Sequence, residues 1–186
     1  MNVIKTDFLG LLILEPKVFG DARGHFFESY NARHMADAGI ETVFRQDNQS
    51  SSKYGVIRGL HFQLNPYSQT KLVRALEGSI FDVALDLRKG SPTFGKWFGL
   101  ELSAENKRQL YIPQGFAHGF SVLSEQAAIL YKCDQFYSPQ FEGGVLYNDP
   151  KLHIDWKVDA DRTTVSDKDK MLPAFDKVET NFEYHA

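Results

Sequence analysis

The segment from Arg58 to Lys71 combines side chains that can hold an anion and move a proton. It has a basic residue at each end and His61 near its start. A neutral imidazole accepts a proton near pH 7, while nearby fixed cations hold an anion and disfavour protonation of the imidazole. The spacing predicts a site for acid-base chemistry on an anionic ligand, which the rest of the fold must position.

A second histidine introduces the hypothesis of a metal site. His118 ends the pattern Pro113-Gln-Gly-Phe-Ala-His118, which resembles the second motif of the cupin superfamily. Histidines on paired strands can converge inside a barrel and bind a metal. The first cupin motif has His-x-His followed by Glu, whereas this chain has Gln63 at the second position and then Lys71 as the next ionisable residue. Because an ammonium group repels a divalent ion, we expect a metal-free cupin.

Length and composition indicate one globular domain that spans residues 1–186. The chain is 42% hydrophobic and 13% aromatic, which is enough for a sizeable core. Its net charge of −3 gives no field that would attract nucleic acid or an anionic membrane. The single cysteine, Cys133, excludes an internal disulfide and is interpreted as a small buried apolar residue. Without a signal-peptide pattern or a long apolar run, we expect a cytoplasmic protein.

Short extended segments separated by turn residues dominate the sequence. A helix is predicted where Asn31 can cap residues 32–38 before Gly39. Predicted turns lie at residues 20–24, 50–55, 77–79 and 89–92, the last two as hairpins. Predicted strands include residues 11–14, 43–48, 56–62, 80–88, 109–113, 116–123, 127–133 and 154–156. This pattern favours an all-β jelly-roll barrel with a few short helices, whose interior can hold a ligand.

The clearest strand, residues 80–88, alternates apolar side chains with a face that carries Asp82 and Asp86. We expect this face to meet either solvent or a polar cavity. Asp86 is interpreted as a surface or structural residue. Towards the C-terminus, residues 166–169 have the pattern of a capping box at the start of a helix.

Five motifs together resemble the dTDP-4-dehydrorhamnose 3,5-epimerases, over about residues 18–169. They are Arg58-Gly-Leu-His61, Lys71-Leu-Val-Arg, Ser-Pro-Thr-Phe-Gly-Lys-Trp, Leu102-Ser-Ala-Glu-Asn-Lys-Arg-Gln-Leu and Ile112-Pro-Gln-Gly-Phe-Ala-His118-Gly-Phe. The resemblance implies inversion of C3 and C5 beside the C4 ketone of dTDP-4-dehydro-6-deoxy-D-glucose, giving dTDP-4-dehydro-L-rhamnose without a cofactor. Similar enzymes invert one centre or act on other dTDP-ketosugars, so a single-centre epimerase is the alternative.

The resemblance also implies a set of catalytic residues. Each inverted carbon needs a base, a group that stabilises the enolate, and an acid on the opposite face. His61 matches the base, Tyr131 the acid and Lys71 the cation at the C4 oxygen. The carboxylate that orients His61 is assigned to Asp169 rather than Asp167. From the residues alone, Asp169 is better interpreted as a helix cap, Tyr131 as a core residue and Lys71 as a solvated edge-strand lysine.

Further residues are assigned to the substrate by the same resemblance. His118 matches a residue at the sugar, and Asp82 is its expected hydrogen-bond partner. Phe26 and Tyr137 either stack on the thymine or pack as ordinary aromatics. The complete binding set is Arg23, Phe26, Glu28, Gln46, Asp47, Asn48, Arg58, His118, Tyr137, Glu142 and Lys168.

The resemblance further implies a homodimer in which the N-terminal strands bring Arg23 or Glu28 to the other subunit's site. Two other classes of function compete with an epimerase. A metal-dependent cupin enzyme predicts stoichiometric metal, and a non-catalytic nucleotide-sugar binding module predicts ligand binding without proton exchange. A base, a cation and an opposite-face acid together argue against the binding module, because binding alone does not require them.

Overall fold

Two six-stranded sheets dominate the computed structural model, which describes residues 1–185. In spatial order, the first sheet contains β1 (Asn2–Lys5), β2 (Leu12–Glu15), β10 (Gln109–Ile112), β7 (Lys71–Glu77), β12 (Gln126–Cys133) and β5 (Gln46–Lys53). The second contains β13 (Glu142–Gly144), β6 (Val56–Gln63), β11 (Phe116–Val122), β8 (Ser79–Asp86) and β9 (Trp97–Ser103), with β14 (Thr164–Val165) alongside β6. The remaining elements are the hairpin of β3 (Phe19–Asp21) and β4 (Gly24–Phe26), helices α1 (Ala32–Asp37) and α2 (Asp167–Lys170), and 3-10 turns at Pro139–Phe141, Ala160–Arg162 and Phe175–Lys177.

The core lies between the two sheets. Val73 and Ile129 of the first sheet share one buried cluster with Ile80, Ala84 and Phe120 of the second. Paired strands run antiparallel, except that β14 runs parallel to β6. Two antiparallel sheets packed in this way form a jelly-roll barrel, so the predicted all-β barrel with a few short helices is confirmed.

The C-terminal segment covers the outer face of the second sheet. Val83 and Leu85 of β8 pack there against Trp156 and Phe182 in another buried cluster. Since successive side chains of a strand point to opposite faces, Asp82 points into the barrel, where it is fully buried. Of the two environments expected for the carboxylate face of this strand, the polar interior is the one observed.

Asp86 is also fully buried, so its structural interpretation is correct and its surface interpretation is wrong. Its carboxylate accepts hydrogen bonds from the Arg88 guanidinium at 2.9 and 2.7 Å, from Ser91 at 2.7 Å and from Thr93 at 2.6 Å. Burial acts to raise the pKa of Asp86, but these donors outweigh it and lower the pKa. They fix the connection between β8 and β9, which pair as the hairpin predicted around residues 89–92.

The predicted turn at residues 50–55 is wrong for most of its length. Residues 50–53 belong to β5, which pairs with β12 along its whole length from Gln46 to Lys53. The turn is confined to Tyr54 and Gly55, where Gly55 has a φ of +79°. Residues 43–45, predicted as the start of a strand, precede it instead. Ladder pairing with a neighbouring strand outweighs the preference of serine for turns.

Two other local predictions are wrong, and one is confirmed. Residues 77–79 do not close a hairpin, because β7 and β8 belong to different sheets and this turn crosses between them. Residues 154–156 form no strand, and Trp156 is instead anchored by its indole N–H, which donates to the Tyr147 carbonyl at 2.8 Å. The cap at Asn31 is present, since its Oδ1 accepts from the amides of Arg33 and His34. No helix in the described residues is long and apolar enough to span a membrane.

Candidate active site

A cavity of about 470 Å³ lies inside the barrel, with walls from both sheets and from the C-terminal segment. Six residues assigned from the sequence line it: Arg58, His61, Lys71, His118, Tyr131 and Asp169. The other lining residues are Ser50, Val56, Ile57, Gly119, Phe120, Thr164, Val165 and Ser166. The fold therefore gathers all four residues assigned to catalysis into one space.

His61 and Asp169 form a hydrogen-bonded pair in the cavity wall. The Nε2 atom of His61 lies 2.8 Å from Oδ1 of Asp169. Burial acts to raise the pKa of Asp169, but the hydrogen bond from the Gly59 amide and the charge of His61 outweigh it and lower the pKa. An ionised carboxylate only accepts hydrogen bonds, so Nε2 carries the proton and Nδ1 is the basic nitrogen.

The protonation of His61 is set mainly by its burial. Burial lowers the pKa of His61, the Asp169 carboxylate opposes this shift, and the charge of Lys71 adds to it. The net shift is downward from an ordinary value of 6.5. His61 is therefore neutral at pH 7 and able to accept a proton.

Asp169 reaches His61 because the segment before it is tied to β6. Strand β14 pairs with β6 and leads into α2, whose N-cap Ser166 accepts from the Asp169 amide at 3.1 Å. The Asp169 carboxylate does not take part in the cap and accepts instead from the Gly59 amide at 3.1 Å. Asp167 is exposed and pairs with Lys170. The partner of His61 is thus Asp169 rather than Asp167, and only the amide of Asp169 serves the cap.

Gly59 and Gly119 permit a close approach of β6 and β11 beside this pair. Gly59 has a φ of +122°, and a Cβ there would lie 2.5 Å from the Cα of Gly119. The strand register shifts next to His118, which is the cross-strand partner of His61. The resulting bulge aims the Gly59 amide at Asp169 and places both histidines on the cavity wall.

Lys71 and Tyr131 line the cavity from the other sheet, on β7 and β12. The Lys71 Nζ lies 5.9 Å from the centroid of the Tyr131 ring, and the His118 ring centroid lies 6.4 Å from that of Tyr131. Burial raises the pKa of Tyr131, so the phenol keeps its proton at neutral pH. Burial also lowers the pKa of Lys71, so an anionic partner would favour its charged form.

Lys71 is paired across the sheet with a neutral residue, and the charges of Asp82 and Glu142 only partly offset the effect of burial on its pKa. Strand β7 lies between β10 and β12, so Lys71 is not on an edge strand. Its cross-strand partner is Cys133, which is fully buried as predicted. Burial raises the pKa of Cys133 to about 11, so the thiol is uncharged. Within residues 1–185 Lys71 forms no ion pair.

Arg58 is oriented by a serine of β5. The Ser52 hydroxyl accepts hydrogen bonds from Nε and Nη2 of Arg58 at 3.1 and 3.0 Å. A hydroxyl fixes the guanidinium without neutralising its charge. In the part of the chain that the structure describes, no carboxylate forms an ion pair with Arg58. The guanidinium therefore keeps an uncompensated charge at the cavity.

His118 is paired with Asp82, as expected. Its Nε2 lies 2.7 Å from Asp82 Oδ1, and both side chains are buried. The second oxygen of Asp82 has no hydrogen-bond partner among the described residues. The contact with Asp82 fixes the orientation of the His118 ring in the cavity wall.

Five of the predicted binding residues form a network next to this cavity. Tyr137 Oη and Lys168 Nζ donate to the same oxygen of Glu142, at 2.8 and 2.7 Å. Burial acts to raise the pKa of Glu142, but these two donors outweigh it and lower the pKa. Gln46 Oε1 accepts from the Tyr137 amide at 3.1 Å, and Gln46 Nε2 donates to Asn48 at 3.0 Å. The network holds a half-exposed tyrosine ring beside an acidic and a basic group.

Four predicted binding residues lie elsewhere. Asp47 alternates with its neighbours on β5 and pairs with Lys132 at 3.0 Å on the outer face of the first sheet. The others belong to the N-terminal part of the chain: Arg23, Phe26 and Glu28. Phe26 is 67% exposed, the Arg23 side chain is bonded to Asp21, and Glu28 accepts from Asn31 at 3.0 Å. The structure does not bring these side chains to the cavity of their own chain.

The sequence patterns did not predict the roles of Ser50 and Ser52 on β5 or the close approach of Gly59 to Gly119. Ser50 lines the cavity and Ser52 holds Arg58, but the composition of the serine run predicts a turn. Their alternation with Gln46 and Asn48 along one strand face is the signal that would have found them.

The donor set of the cavity differs from that of a metal-binding cupin. Among residues 1–185, no group of three or more His, Cys, Asp or Glu side chains is placed to share a metal ion. His61 and His118 each have one ring nitrogen bonded to a carboxylate. Gln63, at the position of the second histidine in the cupin motif, bonds to backbone groups instead.

The barrel and its cavity define a jelly-roll protein of the cupin type, with acid-base residues on facing walls. The family model described as dTDP-4-dehydrorhamnose 3,5-epimerase matches residues 5–177. The protein of that name from Shigella flexneri is 57% identical over 170 residues, which cover 91% of this chain and 93% of that protein. The chain belongs to the dTDP-4-dehydrorhamnose 3,5-epimerase family, as its motifs predicted.

Solved structures support the same assignment. The epimerase from Legionella pneumophila in complex with dTDP-4-keto-L-rhamnose has a TM-score of 0.95 and 47% identity, over 100% of this chain and 99% of that chain. A 3'-monoepimerase from Streptomyces bikiniensis in complex with dTDP-quinovose has a TM-score of 0.84 and 31% identity, over 91% and 85% of the two chains. The fold is thus common to enzymes described as inverting two centres and one centre.

Proposed function

We propose that this protein inverts C3 and C5 of dTDP-4-dehydro-6-deoxy-D-glucose to give dTDP-4-dehydro-L-rhamnose, a step of dTDP-L-rhamnose biosynthesis. The observation that carries this proposal is the placement of His61 and Tyr131 on opposite sheets around one cavity. Inversion of a carbon requires that a proton leave from one face and return to the other. Membership of the family supports the identity of the nucleotide sugar.

The first step assigns His61 as the base. Its Nδ1 removes the proton from the carbon beside the C4 ketone, and the imidazole becomes positively charged. Asp169, at 2.8 Å from Nε2, stabilises that charge and keeps the ring in the productive tautomer. The electron pair of the broken C–H bond moves onto the C4 oxygen as an enolate.

Lys71 stabilises the enolate oxygen, and Tyr131 completes the inversion. The Lys71 ammonium forms no ion pair within residues 1–185, and the carboxylates of Asp82 and Glu142 act on it only from beyond ion-pair distance, so the developing negative charge can become its direct partner. The phenol of Tyr131 then donates its proton to the carbon from the opposite face. Solvent returns a proton to Tyr131 and removes one from His61 before the second carbon reacts.

The nucleotide is assigned to Arg58 and to the network around Tyr137. The planar guanidinium of Arg58 suits a diphosphate. The half-exposed ring of Tyr137 offers a stacking surface for thymine, beside Glu142 and Lys168. No cofactor takes part in this scheme.

The protein is further proposed to act as a homodimer of one-domain subunits. This proposal is supported by the exposed β3–β4 hairpin, which carries Arg23 and Phe26 and does not line the cavity of its own chain. Glu28 follows the same hairpin. A cytoplasmic location remains a prediction from the sequence.

The proposal is tested by incubating the protein with dTDP-4-dehydro-6-deoxy-D-glucose in deuterated water and following the sugar by NMR. We expect deuterium at both C3 and C5 and formation of the L-rhamno configuration. Deuterium and inversion at only one carbon would instead establish a single-centre epimerase. The similarity to a 3'-monoepimerase makes this outcome the main alternative. Binding of the substrate without any exchange would establish a non-catalytic binding module.

The metal-dependent alternative is tested separately. Activity that survives a chelator, in protein whose metal content is far below one ion per chain, would eliminate it. Activity that is lost with the chelator and restored by one divalent metal would contradict the mechanism above.

A further inference from the structure

Gln63 occupies the position at which the cupin motif has its second histidine, and the mechanism above gives it no role. It lies on β6, two residues after His61, and is 4% exposed. A buried primary amide carries two donors and an acceptor, and burial is costly unless these find partners. The partners of Gln63 therefore indicate what it does.

All the partners of the Gln63 side chain are backbone groups of two loops. Its Nε2 donates to the carbonyl of Tyr67 at 2.7 Å and to the carbonyl of Phe136 at 3.2 Å. Its Oε1 accepts from the amide of Ser138 at 2.7 Å. One side chain thus holds the backbone on both sides of Tyr137.

The ring of Tyr137 lacks comparable support of its own. It is 54% exposed, and its hydroxyl is tied to Glu142, which is itself the cross-strand partner of Gln63. The Tyr137 amide donates to Gln46 at 3.1 Å. Three consecutive backbone positions, 136–138, are therefore fixed by two glutamine side chains.

We propose that Gln63 is a positioning residue that holds the Tyr137 loop in the conformation that receives the nucleotide. It acts through the backbone around Tyr137 and does not itself touch the substrate. A preformed loop avoids the entropy cost of ordering an exposed aromatic residue on binding. The inference rests on the proposed function, because it takes the ligand of Tyr137 to be the thymidine diphosphate part of the substrate.

The role requires an amide and not merely a side chain of the same size. Glutamate at position 63 could still accept from Ser138 but would present an oxygen to the carbonyls of Tyr67 and Phe136. Methionine has a similar length and can form none of the three bonds. The two variants therefore separate loss of the donors from loss of the whole contact.

The test compares Gln63→Met and Gln63→Glu with the parent protein and with Gln126→Met as a matched control. Gln126 is an exposed glutamine at the start of β12, away from the cavity. The first measurement is hydrogen exchange of the Ser138 amide in the ligand-free protein, which reports on the contact without any ligand. The second is calorimetric binding of dTDP, together with kcat and KM for the ketosugar nucleotide.

We expect Gln63→Met to accelerate exchange of the Ser138 amide and to weaken dTDP binding about tenfold, as loss of several backbone hydrogen bonds implies. KM should rise by a similar factor, with kcat nearly unchanged because the His61–Asp169 contact is intact. Gln63→Glu should keep much of the Ser138 protection but lose affinity. Gln126→Met should match the parent throughout.

A double-mutant cycle with Tyr137→Ala identifies the path of the effect. If Gln63 acts through Tyr137, the affinity loss from Gln63→Met should largely disappear in the Tyr137→Ala background. An equal loss in both backgrounds would overturn the positioning role, as would unchanged Ser138 exchange or unchanged dTDP affinity in Gln63→Met. If the parent protein turns over the ketosugar but the Gln63 variants behave like the parent, the positioning role is wrong and the proposed function stands. If the parent neither binds dTDP nor exchanges deuterium, both the positioning role and the proposed function are wrong.

Discussion

At the scale of single residues, the two cations of the cavity have uncharged partners, whereas the histidine has a charged one. Lys71 lies beside the uncharged thiol of Cys133, and Arg58 is held by the hydroxyl of Ser52. His61, by contrast, is bonded to a carboxylate. Neutral partners leave the positive charges available to an anionic ligand, while in the proposed mechanism the carboxylate stabilises the positive charge that His61 gains on accepting a proton.

In the proposed mechanism His61 is a neutral base and Lys71 a cation, so the pH dependence of kcat/KM should follow from their two lowered pKa values. His61 is active when neutral, and because its pKa is below 6.5 the acidic limb should lie below that value. Lys71 is active when charged, and because its pKa is below 10.5 the alkaline limb should also begin below its ordinary value. The pKa of Tyr131 is raised, so the phenol should not set this limb.

A pH profile of Lys71→Arg distinguishes these assignments. Arginine stays charged at alkaline pH, so the alkaline limb of the kcat/KM profile should move to higher pH in Lys71→Arg, even if kcat falls. An alkaline limb that stays where it is in Lys71→Arg would show that Lys71 does not control it.

Removal of the Ser52 hydroxyl should loosen Arg58 without removing its charge. For Ser52→Ala we expect KM to rise severalfold, consistent with about 1 kcal/mol for a hydrogen bond, and kcat to change little. Ser52→Thr should restore most of the affinity. Ser52→Asp should bind more weakly than Ser52→Ala, because a carboxylate would neutralise the guanidinium. Equal KM values for the alanine and aspartate variants would contradict this role.

At the scale of elements, the site depends on the junction of β6, β11 and α2. The bulge at Gly59 faces Gly119 on β11 and directs an amide to Asp169 of α2. The Asp169 carboxylate and His61 are thus far apart in sequence but are held together beside the backbone of one strand. Changes in that backbone should affect both stability and catalysis.

Gly59→Ala tests the close approach of β6 and β11. Alanine there would have an unfavourable φ of +122° and a Cβ 2.5 Å from the Gly119 Cα. Gly24→Ala is a matched control, since Gly24 has a φ of +128° but no atom within 4 Å of the added Cβ. Chemical denaturation should show a loss of about 1–2 kcal/mol for the control and a clearly larger loss for Gly59→Ala. Equal losses would mean that backbone conformation alone, and not the contact, makes glycine necessary.

The elements also show which features the sequence could predict. Strand β8 was predictable because its apolar side chains alternate with a face that carries two aspartates, although the fold buries both of its faces. Strand β5 was not, since its serines have the composition of a turn and its pairing with β12 is a tertiary effect. The crossing at residues 77–79 has the local chemistry of a hairpin, and only the packing of the two sheets distinguishes the two arrangements.

The same limit applies to the site. The pattern around His61 identifies that histidine from the residues themselves, whereas the role of Tyr131 comes from the resemblance, and the residues alone favour a core position for it. The choice of Asp169 over Asp167 came from the resemblance, and local spacing alone favoured a capping role. The Gln63 contacts could not be predicted, because their partners are backbone groups of distant loops.

At the scale of the whole molecule, the barrel supplies two facing walls, and the proposed dimer assigns the exposed hairpin to the site of a second subunit. Subunit mixing tests whether the hairpin acts across a dimer. His61→Ala and Arg23→Ala homodimers should each be nearly inactive. A mixture exchanged at equal amounts should regain about a quarter of the parent activity, because half of the dimers would carry one site with both residues intact. If mixtures that are shown to contain heterodimers regain no activity, Arg23 does not act in the site of the other subunit.

The central claim is that a base on one sheet and an acid on the other invert the substrate carbons. The most direct measurement follows deuterium incorporation and configuration at C3 and C5 in Tyr131→Phe and His61→Ala. Tyr131→Phe should still exchange protons with solvent through His61 but retain the configuration, whereas His61→Ala should lose both exchange and inversion. Inversion by Tyr131→Phe at the parent rate, or exchange by His61→Ala at the parent rate, would contradict the account.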